Sequence, residues 1–139
     1  LSREDLHWKP PAHAGVGLWS IREIIVHLAD DECVMADRMK RVITEDNPTL
    51  LAFDEKKWAA KLAYDKQSVE DALELVGLIR TQMTVILQNV PASAWQRAGT
   101  HTERGRLTLA DLVDGVQKHL EHHLEFVHAK RRKMGKEMW

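Results

Sequence analysis

The chain has 139 residues, enough for one domain with a single hydrophobic core. Its 20 basic and 21 acidic side chains leave a formal charge of −1, so no overall field attracts nucleic acid or an anionic membrane. No apolar run approaches the roughly 20 residues of a membrane span, and the lone cysteine, Cys33, cannot close an internal disulfide. We therefore expect one domain over residues 1–139, located in a reducing cytoplasm, without nucleic-acid or membrane partners.

The first long helix is predicted over residues 20–46. It begins with a capping box, in which the side chain of Ser20 and the side chain of Glu23 each bond the other residue's backbone. Asn47 and Pro48 end it, because a residue before proline is disfavoured in helical geometry. Apolar residues recur along this segment at the three- and four-residue spacing of an amphipathic helix.

Two further helices are predicted over residues 68–90 and 108–133. Ser68 opens the first of them, and Asp111 completes the start signal of the second. No segment shows a convincing β-strand alternation, so the predicted fold class is all-α.

The connections over residues 47–67 and 91–107 are longer than the loops of a simple up-down bundle. The first contains a short predicted helix near DEKKWAAKLA and is long enough to cross over between parallel helices. The second is predicted to be an ordered polar loop, in which His101 either overhangs a site or, as we favour, is solvated. The opening LSREDLHWKPPAHAGVGL is interrupted by proline and glycine and predicts an irregular lead-in.

Three amphipathic helices of this length more often belong to a four-helix bundle than to a separate trio. Burying an apolar side chain stabilises a protein by roughly 1.5–3 kcal/mol, so an uncovered apolar face is costly. We therefore expect either a helix upstream of Leu1 or a second subunit, as in a homodimer, to cover the open side.

Histidines interrupt the buried stripes of two predicted helices. His119 and His123 lie one turn apart on the third long helix, and His27 lies on an inner edge of the first. Antiparallel packing of these helices would bring the three rings to similar depths. Three imidazoles without a nearby thiolate suit Zn, Ni or Fe, and they leave a coordination position open for water or substrate.

The residues alone leave a second interpretation open, because a His-x-x-x-His spacing also occurs where both histidines are exposed to solvent, or where they form a buried polar pair with all hydrogen bonds satisfied. Asp30 and Asp31 follow His27 by about one turn, and either could accept an imidazole N–H. We assign Asp30 to orient His27, although solvated surface charge is the more common explanation for at least one of the two. The basic tail HAKRRKMGKEMW is more typical of cations that complement a helix dipole than of a nucleic-acid site.

Four segments resemble, in order, the DinB/YfiT-like superfamily of bacterial proteins: PPAHAGVGLWSIREIIVHLADDE, FDEKKWAAKLAY, VPASAWQRAGTHTERGRLTLADL and KHLEHHLEFV. The resemblance implies an up-down-down-up four-helix bundle whose first helix would precede Leu1. It also implies a divalent metal held by His27, His119 and His123, and a small-molecule substrate. A thiol-dependent S-transferase using a low-molecular-weight thiol is slightly preferred. A metal-dependent hydrolase and a non-catalytic metal-binding or interaction bundle are the alternatives.

Overall fold

The computed structural model describes residues 1–137, which are mainly helical. The α-helices are α1 (Arg3–His7), α2 (Ile21–Thr44), α3 (Glu55–Lys61), α4 (Val69–Asn89) and α5 (Leu109–Lys133). The strands are β1 (Thr49–Leu50), β2 (Ala98–His101) and β3 (Gly105–Thr108). The all-α class and the three long helices are thus confirmed, whereas the last two residues of the basic tail lie outside the described residues. No helix in residues 1–137 is both long and apolar enough to cross a membrane.

Side-chain caps determine where the long helices begin. The Ser20 side chain accepts a hydrogen bond from the Glu23 backbone N–H, and the Glu23 carboxylate accepts one from the Ser20 N–H. Thr108 and Asp111 form the same reciprocal pair at the start of α5. A serine at position 68 caps α4. The predicted start signals are confirmed, and they set the register in which α2 and α5 present their histidines.

Helix α2 packs parallel to α4, and contacts between them run in the same direction along both helices. Arg22 near the start of α2 donates to the carbonyl oxygen of Gln67, just before α4 begins. Lys40 near the end of α2 donates to the Gln82 side chain at 2.7 Å. The first connection is therefore a crossover between parallel helices, as its length predicts.

Helix α2 packs antiparallel to α5. His27, early in α2, meets His119 near the middle of α5, whereas Val42, late in α2, shares a buried cluster with Leu109 at the start of α5. This cluster forms the main core at one end of the bundle, and the histidines lie further along the same helix pair. The remaining buried members of the core are Met35, Ala36, Met39, Leu50, Met83, Ala94 and Leu112.

The connections contain a small sheet that the sequence patterns do not predict. β1 pairs parallel with β2, and β2 pairs antiparallel with β3. The strands have only two to four residues, too few for an alternating pattern to be recognised. Their pairing depends on distant contacts, such as the bond from the Thr100 N–H to the Pro48 carbonyl oxygen at 2.9 Å. The lead-in also differs from its prediction, because it contains the short helix α1, capped by Ser2.

A groove of about 290 Å³ separates α4 from α5, with α2 at its floor. Several apolar side chains on α4 are exposed, among them Leu73 at 56%, Leu78 at 62% and Val85 at 58%. These exposed surfaces are what a bundle with an uncovered side would show. The expectation that a further helix or a second subunit covers them stays a prediction.

We expect Gly99→Ala to destabilise the protein. A Cβ at this position would lie 2.8 Å from the Pro48 carbonyl oxygen and 2.9 Å from Leu50 Cγ, so β1 and β2 could not keep their spacing. Such overpacking typically costs about 1–3 kcal/mol of unfolding free energy. Gly77→Ala is the matched control, since its Cβ meets nothing within 4 Å and alanine stabilises a helix interior by about 0.5–1 kcal/mol. Chemical denaturation measures both variants, and wild-type stability of Gly99→Ala would contradict the close approach.

Candidate metal centre

Three imidazole rings converge between α2 and α5. The Nε2 atom of His119 lies 3.2 Å from Nε2 of His27 and 3.1 Å from Nε2 of His123. His27 is fully buried and His123 is 8% exposed, whereas the His119 side chain is 25% exposed. The structure therefore brings together all three predicted ligands, two from one helix turn of α5 and one from the antiparallel α2.

The arrangement of these nitrogens suits a divalent cation. Tetrahedral coordination with metal–nitrogen distances near 2.0–2.1 Å places ligand nitrogens about 3.3 Å apart, close to the two observed separations of 3.2 and 3.1 Å. Hydrogen bonds alone do not account well for this arrangement. A neutral imidazole carries only one N–H, and both close contacts involve the same nitrogen, Nε2 of His119. Within residues 1–137 the Nδ1 atoms of His27 and His123 also have no hydrogen-bond partner.

Burial keeps two of the imidazoles neutral. Removal from water, reinforced by the neighbouring His119 ring, lowers the pKa of His27 to about 4. The same causes, with His27 contributing in addition, lower the pKa of His123 to about 3. Metal ligation requires the unprotonated ring, so both residues are in the binding form at neutral pH.

Asp31 accompanies His119. Its Oδ2 atom lies 3.0 Å from His119 Nδ1, although the N–H direction is not aligned well enough for a hydrogen bond. Burial opposes protonation of His119, but the Asp31 carboxylate outweighs burial and raises the pKa of His119. Asp31 is itself buried, with 8% of its surface exposed. Its negative charge therefore lies beside the cluster, next to the His119 ring.

Asp30 has a different partner from the one predicted. The Tyr64 hydroxyl donates to Asp30 Oδ2 at 2.5 Å, and Tyr64 is fully buried. Burial, and then the Asp30 carboxylate, raise the pKa of Tyr64. The prediction that Asp30 orients His27 is therefore wrong. Asp30 is turned about 60° to one side of His27 and Asp31 about 40° to the other, so the two carboxylates face different partners, Tyr64 and His119.

Glu55 is a site residue that the sequence patterns did not single out. Its Oε2 atom lies 3.8 Å from His27 Nε2, and its side chain is 47% exposed. It is the first residue of α3, a helix capped by Asp54. No local signal distinguishes Glu55 from the neighbouring charges, because only the crossover between α2 and α4 brings α3 over the histidines.

His101 is buried, so the preference for solvation was wrong. It is 6% exposed, and its Nδ1 atom accepts from the backbone N–H groups of Glu103 at 3.2 Å and Arg104 at 3.3 Å. A neutral ring that accepts at Nδ1 carries its proton on Nε2. Burial, and then the charges of Arg38 and Arg104, lower the pKa of His101 and keep it neutral. The sheet holds this ring in a cavity of about 190 Å³ shared with His119.

A second, more apolar cavity of about 430 Å³ adjoins the cluster at His123. The Trp19 ring stacks on the His123 ring, with centroids 6.2 Å apart and planes inclined by 8°. Glu55 lines this cavity and the one beside His101. A larger cavity, about 850 Å³, has none of the three clustered histidines in its wall. It includes Cys33, which is exposed and lies outside the cluster. His122, next to His123 on α5, is exposed.

A helical bundle in which three imidazoles converge, two of them buried, with open space beside them, defines a class of candidate metalloproteins. The chain belongs to the DinB superfamily, whose sequence profile matches residues 1–127.

Similar proteins support this assignment. A protein of Oceanobacillus iheyensis named "Putative metal-dependent hydrolase" is 30% identical over 111 residues, covering 80% of this chain and 64% of the relative. A protein of Halalkalibacterium halodurans with the same description is 27% identical, covering 78% of this chain and 63% of the relative. This chain thus spans less than two thirds of the length of these relatives.

A solved structure shows the same fold. YfiT from Bacillus subtilis, described as "a probable metal-dependent hydrolase with an unusual four-helix bundle topology", superposes with a TM-score of 0.87 at 23% identity. The match covers 97% of this chain and 75% of YfiT. The bundle topology implied by the resemblance is therefore confirmed.

In metal-free protein, we expect the His27 and His123 rings to titrate near pH 4 and pH 3. An unfolded histidine titrates near pH 6.5, so the unfolded chain binds more protons between these values. The stability contributed by the two neutral rings is therefore fully present above about pH 6.5 and is lost as the pH falls toward 3. NMR titration, assigned with His27→Gln and His123→Gln variants, measures the midpoints. A midpoint near 6.5 for either ring would show that it is not buried.

Proposed function

We propose that this protein is a metal-dependent hydrolase of a small molecule, with His27, His119 and His123 holding a divalent cation. The convergence of their Nε2 atoms is the observation that carries the proposal. Nitrogen donors without a thiolate suit Zn, Ni or Fe. The names of the relatives support the choice of reaction, since hydrolysis is the activity that those names describe.

A divalent cation, when bound, acts as a Lewis acid and lowers the pKa of a water or thiol that it binds. Glu55 supplies the proton acceptor. Its Oε2 atom, 3.8 Å from His27 Nε2, takes a proton from the attacking water and returns it to the leaving group. Asp31 holds His119 by its charge, and Trp19 excludes water from the side of His123.

Thiol transfer is the second candidate, and the family resemblance favoured it slightly. The apolar cavity beside His123 has room for a small thiol cosubstrate. Glu55 shifts our preference to hydrolysis, because a thiol has a lower ordinary pKa than water and has less need of a neighbouring base.

Metal content tests the ligand assignment directly. We expect purified wild-type protein to contain about one divalent cation per chain, and His119→Ala to lose most of it, because a three-ligand site reduced to two binds weakly. His122→Ala is the matched control, since His122 lies on the same helix but is exposed. Elemental analysis after dialysis measures the content. Equal metal in the two variants would contradict the proposed site.

Substitution of Glu55 tests the reaction. We expect Glu55→Gln to retain the cation and to lower kcat for hydrolysis of a responsive small ester or amide by about 100-fold or more, since it removes the proton acceptor. Glu103→Gln, at an exposed carboxylate in the neighbouring hairpin, should leave kcat near wild type. Assays run with and without a small thiol. Turnover that requires the thiol would favour transfer, and no metal-dependent turnover across a broad panel would favour a binding role.

A further inference from the structure

Lys130 is fully buried, an uncommon state for a lysine. It belongs to the basic tail, whose cations were predicted to complement the dipole of α5, and this side chain turns inward. Its Nζ atom donates to the carbonyl oxygen of Val16 and lies 5.5 Å from the centre of the Phe126 ring. Among residues 1–137, no carboxylate lies within 4.0 Å of this ammonium group.

The partners of Lys130 do not balance its charge. An ammonium group has three N–H donors, and the Val16 carbonyl accepts from one of them. The C-terminal dipole of α5 favours a cation near this end, but Arg132 and Lys133 already supply exposed cations there. Burial lowers the pKa of this ammonium group, and an anion placed beside it would offset the cost of burying its charge.

Lys130 lines the apolar cavity that also contains His123. The two residues are seven positions apart on α5, which places them on one face and about 10 Å apart along the helix axis. Phe126 lies between them, and Trp19 and Ile24 complete an apolar wall. At about 430 Å³, the cavity has the size of a small-molecule site. Of its polar side chains, His123 and Lys130 are separated along α5 by the apolar Phe126.

We infer that this cavity is the substrate pocket, and that Lys130 binds a carboxylate at one end of a small substrate with an apolar body. The assignment rests on the proposed function for the reaction at the other end, beside His123. Glu55, on the side of the histidines, repels the substrate carboxylate and directs it to the far end of the pocket. Lys56 is exposed at the cavity wall, where water screens its charge.

The experiment compares hexanoate with hexanamide, which share an apolar chain and differ in charge. Each ligand is titrated into the protein with and without added Zn²⁺, and binding is followed by the NMR signal of the Trp19 indole N–H, assigned with Trp19→Phe. We expect wild-type protein to bind hexanoate at least 10-fold more tightly than hexanamide in both states. In Lys130→Met, hexanoate affinity should fall about 10-fold while hexanamide affinity is unchanged. Lys56→Met, the matched control, should keep the wild-type preference.

Three results would overturn the inference: equal affinities in wild-type protein, no binding of either ligand, or a preference that survives Lys130→Met. A preference that requires Zn²⁺ and survives the substitution would place the carboxylate on the cation. If thermal melting shows that Lys130→Met is unfolded, the wild-type ratio without metal decides alone. Because binding is measured without metal as well as with it, absence of hydrolysis would reject the proposed function and leave this result standing.

Discussion

The antiparallel contact between α2 and α5 is the constraint on which the rest of the molecule depends. It places His27 opposite His119 and, at the other end, Val42 in the cluster that contains Leu109. The pair of α2 and α5 thus forms a buried apolar core at one end and the histidine cluster further along. The reciprocal caps at the two helix starts set the depth of both regions, because each cap determines which residues face inward.

The polar half of this contact contributes less to stability than the apolar half. Imidazole rings without partners at Nδ1 replace well-packed apolar side chains at His27 and His123, and a buried polar group without a hydrogen bond is destabilising. A bound cation would compensate, since a ligand that binds only the folded state stabilises it. Cation binding and folding are therefore thermodynamically coupled.

Helix periodicity made much of this predictable. The stripes on α2 and α5 identified His27, His119 and His123, and the cap residues identified the helix starts, because these signals lie within a few neighbouring positions. Asp30 was assigned wrongly because two adjacent acidic residues differ by 100° around a helix, and only the position of Tyr64 shows which way each one faces.

The remaining site residues depend on distant contacts that no local pattern records. His101 is buried because β2 pairs with β1, and Glu55 reaches the histidines because of the crossover. Lys130 lies in a run of basic residues, and no local sequence pattern shows that its side chain is the one that faces inward.

The junction between β3 and α5 has an evolutionary consequence. The last strand residue, Thr108, is also the helix cap, so the hairpin and the helix join without a linker. Length variation in the turn at residues 102–104 can be absorbed at the hairpin tip, leaving the histidines in register. A single residue inserted between Leu109 and His119 would instead rotate both α5 histidines by about 100° relative to the cap. Lineages that diversify this scaffold are therefore expected to vary the hairpin and to conserve the length of the helix segment behind it.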